Sequence, residues 1–503
     1  MTIAHEVVTL TVDRDYFLGV LESLLGQGYS PALVAGHCAG DSIRITYALV
    51  RARDGARMEV NLTTAAEGGT FPSAAHLNYP IGRFEREIRD LYGVTPVGHP
   101  MPYRLVRHSH WPRGWYPMAA DSSQIQPFDD VAGAYPFTPV EGDGVYEIPV
   151  GPVHAGLIEP GHFRFSVVGE TILRMKARLW FLHRGVERLF VGRRPAGGLE
   201  LTERISGDTA VGHSLAYALA VEEALGLAVP QEAQLTRAML LELERVYNHV
   251  GDLGAMANDV GFSFVNAHAL RLREDLLRLN QRVTGHRLLR GGISIGGAAV
   301  RDLPERAQLV GIAAEVDELV AITLGNSTVR DRFTGTAVLH RGSAEEIGTL
   351  GYVARASGVS RDARHDHPFC ELPESFTVTT EEGGDVLARY RVRVGEIDVS
   401  LRMIAELSTV LSAGDRQAAG GPAAALALPS AGPGHGLGLV EGWRGRLAHR
   451  VELASDGTLA RVKVVDPSFF NWPALSVALA DTIVPDFPLA NKSFNQSYAG
   501  NDL

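Results

Sequence analysis

Glu203-Arg204-Ile205-Ser206-Gly207-Asp208-Thr209-Ala210-Val211-Gly212-His213-Ser214 runs directly into Leu215-Ala216-Tyr217-Ala218-Leu219-Ala220-Val221-Glu222. The second half is the start of a helix with an apolar stripe. The first half is a glycine-punctuated loop that delivers small polar side chains to the helix N-terminus. Free backbone N–H groups and the positive end of the helix dipole favour ligand chemistry there. This junction decides the fold, because every other recognisable stretch of the chain can be placed relative to it.

Working outward, the N-terminal side reads as an α+β module. His5–Val12 alternates like a strand, Tyr16–Leu25 has helical spacing, and Ser42–Leu49 and Arg57–Leu62 alternate on either side of an Asp54-Gly55 turn. Phe84-Glu85-Arg86-Glu87-Ile88-Arg89-Asp90-Leu91-Tyr92-Gly93 follows, with Gly98-His99-Pro100 beyond it. On spacing alone this helix reads as an amphipathic surface element with paired charges. Residues 116–149, rich in Pro, Gly and Asp, show no period and read as a linker. Next come Glu159-Pro160-Gly161-His162-Phe163-Arg164, a hairpin turning at Gly169-Glu170, and His183-Arg184-Gly185-Val186-Glu187. Past the junction, helices are expected from Pro230 to about Met256, over Leu270–Val283 and over Arg306–Ile322. Met239, Leu243, Val246, Val250 and Leu253 form the core stripe of the first, with His249 as a packing residue beside it. Arg290-Gly291-Gly292 and Arg355-Ala356-Ser357-Gly358-Val359, with Asp362 and Arg364, form two further clusters. Residues 413–438, rich in Ala, Gly and Pro, read as a flexible excursion. Strands resume at Glu441-Gly442-Trp443-Arg444-Gly445.

Taken together these motifs resemble the large subunit of membrane-bound nickel–iron hydrogenases of the formate-hydrogenlyase type and its relative, the quinone-site subunit of complex I. The E-R-E-I-x-D-L-Y-G and G-H-P run resembles the smaller peripheral-arm subunit of complex I. The resemblance implies an α+β chain in two parts: a peripheral-arm module at residues 1–115, and at residues 150–503 a mainly helical hydrogenase-like domain with small β-sheets. It also locates the metal position. The hydrogenase pattern R-x-C-G-x-C reads here Arg204-Ile205-Ser206-Gly207-Asp208-Thr209, and the terminal D-P-C-x-x-C reads Asn495-Gln496-Ser497-Tyr498-Ala499-Gly500. Ser206, Thr209, Ser497 and Gly500 thus stand at the four thiolate positions.

The chain has 503 residues and only two cysteines, Cys38 and Cys370. Nickel–iron and iron–sulfur groups are held by soft thiolates, four of them in the usual sites, so the expectation is that this chain binds no cofactor of its own. Iron–sulfur clusters would sit in a partner small subunit. A quinone remains an open ligand, although the resemblance puts Gly207 where the quinone-binding tyrosine stands and Pro160 near the histidine. If the fold holds, Glu159, His162, Ser206, Asp208, Thr209, His213 and Ser497 are expected around one polar cavity. Glu187 has two readings, a magnesium ligand by resemblance or a structural ion pair.

A net charge of −11 excludes the basic footprint of a nucleic-acid binder. No signal peptide and no apolar run of roughly 20 residues is evident, so the expected place is cytoplasmic, on the inner membrane face through partners that include antiporter-like membrane-arm subunits. Three functions stay open at this point: a redox subunit that reduces a quinone or other acceptor, a scaffold or coupling subunit, and a hydrogenase with atypical ligands.

Overall fold

Alternation in the first module produces what it predicts. In the computed structural model, which describes residues 7–120, 127–128, 133, 135–154, 158–413 and 432–503, Val7–Thr11 is strand β1 and Arg14–Gly26 is helix α1. Phe17, Leu21 and Leu24 of α1 are buried, at the spacing of one helix face. Strands β2 (Ser30–Ala39), β3 (Ser42–Val50) and β4 (Arg57–Ala65) complete a sheet of order β1-β4-β3-β2, with β1 parallel to β4 and the other pairs antiparallel. β2 carries no alternation to read because it is buried on both faces through Gly36. β5 (Thr70–Pro72) precedes helix α2 (Tyr79–Tyr92), and β6 (Thr95–Val97) follows it and pairs with β5 in parallel.

α2 begins with Asn78 accepting from the Ile81 N–H at 3.4 Å, with Pro80 in its first turn, and stops at Gly93 with φ 81°. It is not a surface helix. Nearly all of its side chains, including Glu85, Glu87 and Asp90, are buried, because α2 lies between its own module and the rest of the chain. The G-H-P motif has a packing role there: His99 Nε2 meets the Gly82 carbonyl at 2.9 Å, where any larger residue than Gly82 would strike Ala75.

The described part of residues 98–144 holds no helix or strand, but the linker ends earlier than expected. Val145–Val150 is strand β7, antiparallel to β8 (His162–Val168), which pairs with β9 (Thr171–Arg178) through the expected turn.

Helices α3 (Val186–Phe190), α4 (Pro195–Thr202), α5 (Ala210–Leu225), α6 (Gln231–Asp259) and α7 (Ser263–Thr284) follow. A two-strand ribbon, β10 (Ile293–Ser294) and β11 (Gly297–Ala298), leads to α8 (Arg306–Gly325), α9 (Ser327–Phe333), α10 (Arg341–Ile347), α11 (Gly351–Arg355), α12 (Ala363–Asp366) and α13 (Val386–Ala413). The antiparallel sheet β12 (Gly434–Gly442), β13 (Gly445–Leu453) and β14 (Leu459–Val465) precedes α14 (Pro467–Ala478), α15 (Phe487–Phe494) and α16 (Tyr498–Asp502). The long α13 shows no apolar stripe in sequence because its buried face carries Arg389, Arg393 and Glu396.

The tail of the Ala/Gly-rich stretch is a strand rather than an excursion; residues 414–431 of that stretch lie outside the described residues. Gly434, Gly436 and Gly438 alternate along β12, and a Cβ on each would strike the carbonyl of Ala224, Ala220 and Ala216 in turn, at 2.3, 2.2 and 1.9 Å. Two residues of strand rise about as far as four of helix, near 6–7 Å. The glycine row and the alanine ridge of α5 therefore stay in step, and the helix rests directly on the strand backbone.

The same sheet docks the two modules together through charge pairs, two buried and one part-buried. Arg450 holds Glu59 at 2.7 and 2.9 Å, Lys463 holds Glu87 at 2.7 and 2.8 Å, and Arg44 reaches Glu452 at 2.5 Å.

Candidate functional site

The loop between α4 and α5 and the start of α16 come together. Ser206 Oγ lies 2.8 Å from Ser497 Oγ and donates to Asp208 Oδ1 at 2.8 Å. Since the Ser206 proton is engaged, Ser497 is the donor to Ser206, while its own oxygen accepts the Gly500 N–H at 2.9 Å as the cap of α16. The chain of donors runs one way, from Gly500 through Ser497 and Ser206 to the Asp208 carboxylate. Thr209 donates to the same oxygen at 3.0 Å and accepts from Trp443 Nε1 at 3.1 Å. Arg444 closes the cluster with two bonds of 2.7 Å to both Asp208 oxygens. Burial pushes the Asp208 carboxyl up, but the Arg444 guanidinium outweighs it and holds the pKa at about 2.

One turn into α5, His213 joins a second, fully buried set. Its Nε2 meets Asp466 Oδ2 at 3.1 Å and its Nδ1 meets His449 Nε2 at 3.0 Å. Burial, with the neighbouring His213, drives the His449 pKa far below the ordinary value, so its ring stays neutral. Asp466 is held below the usual carboxylate range because His213 and Arg444 outweigh its burial.

Beneath the helix N-terminus, Glu244 of α6 accepts the Val211 and Gly212 N–H groups at 2.7 and 2.9 Å. Burial, reinforced by the Asp208 charge, outweighs those two bonds and pushes its pKa up to about 8.

Not every expected residue converges. Glu159 is exposed and reaches the cluster only at its edge, accepting the Ala499 N–H at 3.1 Å. His162 lies outside it, with Nδ1 at 3.1 Å from the Gly151 carbonyl and its ring against Phe137. Of the two readings for Glu187, the ion pair is the one present. Arg461 at 2.7 Å, Lys463 at 3.1 Å and the Val464 N–H at 2.9 Å occupy both oxygens and, against its burial, hold its pKa at about 2. His249 is not merely packed beside an apolar stripe: its Nε2 meets Glu396 at 2.9 Å within a buried charge cluster. Arg444 and Trp443 lay in a motif read only as framework. Asp466, His449 and Glu244 carried no sequence signal at all.

The donor set does not fit a nickel–iron group. Hydroxyl oxygens are hard, stay protonated and are committed to one another, and soft metals select thiolates. The fourth position fails on space as well, since a Cβ on Gly500 would lie 2.6 Å from the Asp466 carboxylate. Among the described residues no group of three or more His, Cys, Asp or Glu is arranged to hold a metal ion. Gly500→Ala is expected to cost ~1–3 kcal/mol, the usual range for overpacking, because Asp466 is fixed by His213 and by the Ser468 N–H at 2.8 Å. Thermal unfolding of the variant checks this, and an unchanged transition would show that Asp466 can yield.

A peripheral-arm module docked on a helical domain whose loop and C-terminal turn meet at one buried position defines the complex I-like class of large subunits. Residues 259–428 match the 49-kDa subunit family of respiratory-chain NADH dehydrogenase, residues 10–126 the 30-kDa subunit family, and residues 184–252 the nickel-dependent hydrogenase family. The chain is 34% identical over 432 residues to formate hydrogenlyase subunit 5 of Escherichia coli (strain K12), across 83% of this chain and 74% of that protein. It is 32% identical to hydrogenase-4 component G of the same organism, across 99% of this chain and 88% of that one. Among solved structures, a chain of a membrane-bound sulfane sulfur reductase, an archaeal respiratory membrane complex, superposes with a TM-score of 0.63 at 26% identity, covering 73% of this chain and all of that one. The chain belongs to this family of complex I-like, formate-hydrogenlyase-type large subunits of membrane-associated oxidoreductases. No helix among the described residues is long and apolar enough to cross a membrane.

Proposed function

We propose that this chain is a metal-free large subunit that couples a membrane-associated oxidoreductase through protons rather than electrons. The observation that carries the reading is the 2.8 Å contact between Ser206 and Ser497, which closes the metal position into a self-satisfied cluster. Around it, Glu244 under the helix is a buried carboxyl whose pKa of about 8 lets it gain or release a proton near neutrality, and His213 is hydrogen-bonded to Asp466 and His449 beside it. Electrons would travel in an iron–sulfur small subunit seated against this face, and antiporter-like membrane-arm subunits would anchor the assembly to the inner side of the membrane. Reduction of a quinone at this position has less support, since the hydroxyls are committed to one another and Gly207 offers no side-chain donor.

The test is the assembled complex purified from membranes, with metals counted and turnover followed with a quinone and an artificial acceptor. Nickel is expected well below one per chain. His213→Ala is expected to leave assembly intact, to lower turnover several-fold and to alter its pH profile. Stoichiometric nickel would overturn the metal-free reading. Full turnover with an unaltered pH profile would reduce the chain to a scaffold.

A further inference from the structure

Where the two modules meet, away from the hydroxyl cluster, lies a cleft of about 620 Å³. That is within the ~300–1,000 Å³ range of small-molecule sites. Its walls carry Arg83 and Arg86 from α2 and Arg178 from the end of β9, all nine-tenths buried or more. Buried charges are ordinarily paired with an opposite charge. These three are not: among the described residues none has a carboxylate within ion-pairing distance. Arg178 donates to the carbonyls of Leu105, Val106 and Arg107, and Arg86 to those of Tyr103 and Arg104 and to the Tyr135 hydroxyl.

Arg83 is the least committed. It gives Nη1 to the Phe469 carbonyl and lays its guanidinium over the Phe469 ring at 4.3 Å, which leaves Nε and Nη2 without a hydrogen-bond partner among the described residues. Burial lowers the pKa of Arg83 and of Arg178 to about 10, still well above neutrality, so both are cations.

The nearby carboxylates do not cancel this charge. Glu87 is taken by Lys463, Asp90 accepts three backbone N–H groups from Leu105, Val106 and Arg107, Asp502 accepts from Leu182, and Glu346 is exposed at the rim. Exposed Arg174 adds a further cation to the cleft lining, which also includes the exposed Tyr79 and Tyr103. The floor includes Trp180, a bulky residue held at φ 67°; such left-handed outliers gather at ligand clamps.

We propose that this cleft binds a phosphate-bearing ligand with a planar ring, the phosphate drawn by the unpaired donors of Arg83 and by Arg174, the ring received by Tyr79 and Tyr103. Arginine's planar fork is suited to phosphate oxygens, and aromatic faces accept any flat base.

Calorimetry on the full chain, with adenosine monophosphate and inorganic phosphate as separate probes, tests it. The nucleotide is expected to give one saturable isotherm, weakened more than tenfold by Arg83→Gln and several-fold by Arg174→Gln, and weakened by salt. Arg174 is exposed, so its variant remains informative if Arg83→Gln does not fold. Weaker binding of phosphate alone, in competition with the nucleotide, supports the planar-ring assignment. Equal affinity for the two probes would remove the ring from the proposal and leave a phosphate site. Binding of neither probe, as when the charge instead awaits an acidic side chain of a partner subunit, overturns it, as does binding unchanged in both variants.

Discussion

Arg355→Met lowers the unfolding free energy by ~3–5 kcal/mol, the cost of stripping one partner from a buried ion pair. Arg355 of α11 is wholly buried. It gives Nε and Nη2 to Glu396 at 2.9 and 2.7 Å, and Nη1 to Glu441 at 2.8 Å, with Asp362 at 3.4 Å. The cluster extends to Arg245, Arg364 and Glu242, so three guanidiniums face four carboxylates and one removal leaves the acids badly outnumbering the bases. Burial alone would raise Glu396, yet Arg355 and its neighbours hold it far below the usual carboxylate range, and Asp362 stands at about 2. Such lowered groups contribute stability above their unfolded pKa and lose it as pH falls through the folded value. The gap between wild type and variant therefore narrows below about pH 4, where the unfolded carboxyls take up protons. Arg355→Lys keeps the charge without the fork and falls between the two. Urea unfolding followed by tryptophan fluorescence measures all three; a loss under about 1 kcal/mol for Arg355→Met would show that the carboxylates are satisfied without it.

Glu244→Gln changes the pH dependence of stability as well as its level. The Glu244 pKa is raised from 4.5 to about 8 in the folded chain, so the folded state binds this proton more tightly than the unfolded one. Its stabilising contribution is complete below the unfolded pKa and is lost as pH rises through the folded one. At roughly 1.4 kcal/mol per unit, the loss between pH 5 and pH 9 is on the order of 4 kcal/mol. Glutamine keeps one acceptor oxygen but turns its NH2 against the other of the Val211 and Gly212 N–H groups, which lowers stability at every pH, while the profile flattens over that window. Denaturation midpoints at several pH values read the difference directly; parallel profiles for the two proteins would mean that Glu244 is already ionised.

Much of this architecture is legible in the linear chain. α6, α7 and α8 follow from helical spacing, the hairpins from Asp54-Gly55 and Gly169-Glu170, and the meeting of Ser206 with Ser497 from motifs nearly three hundred residues apart. What escapes reading has a common cause, burial on more than one face. α6 is enclosed by α5, α7 and α13, so Glu242, Glu244 and Arg245, which look like the solvent side of an amphipathic helix, form its ionic interior. α13 hides its period in the same way. β12 looks like an unstructured run because its glycines are dictated by the helix lying across them, a contact with no local signature. His449 and Asp466 sit on or beside sheet strands whose partners are distant in sequence. Glu159 and His162 share a motif but part company, because β8 starts at His162 and directs that ring towards the Gly151 carbonyl.

The bare backbone contact between α5 and β12 has a mechanical consequence. Layers separated by long side chains can slide, since rotamers take up small displacements. Where carbonyls press on glycine Cα atoms there is no such cushion. The close packing makes α5 and the sheet one unit, which Arg450–Glu59 and Lys463–Glu87 tie to the first module.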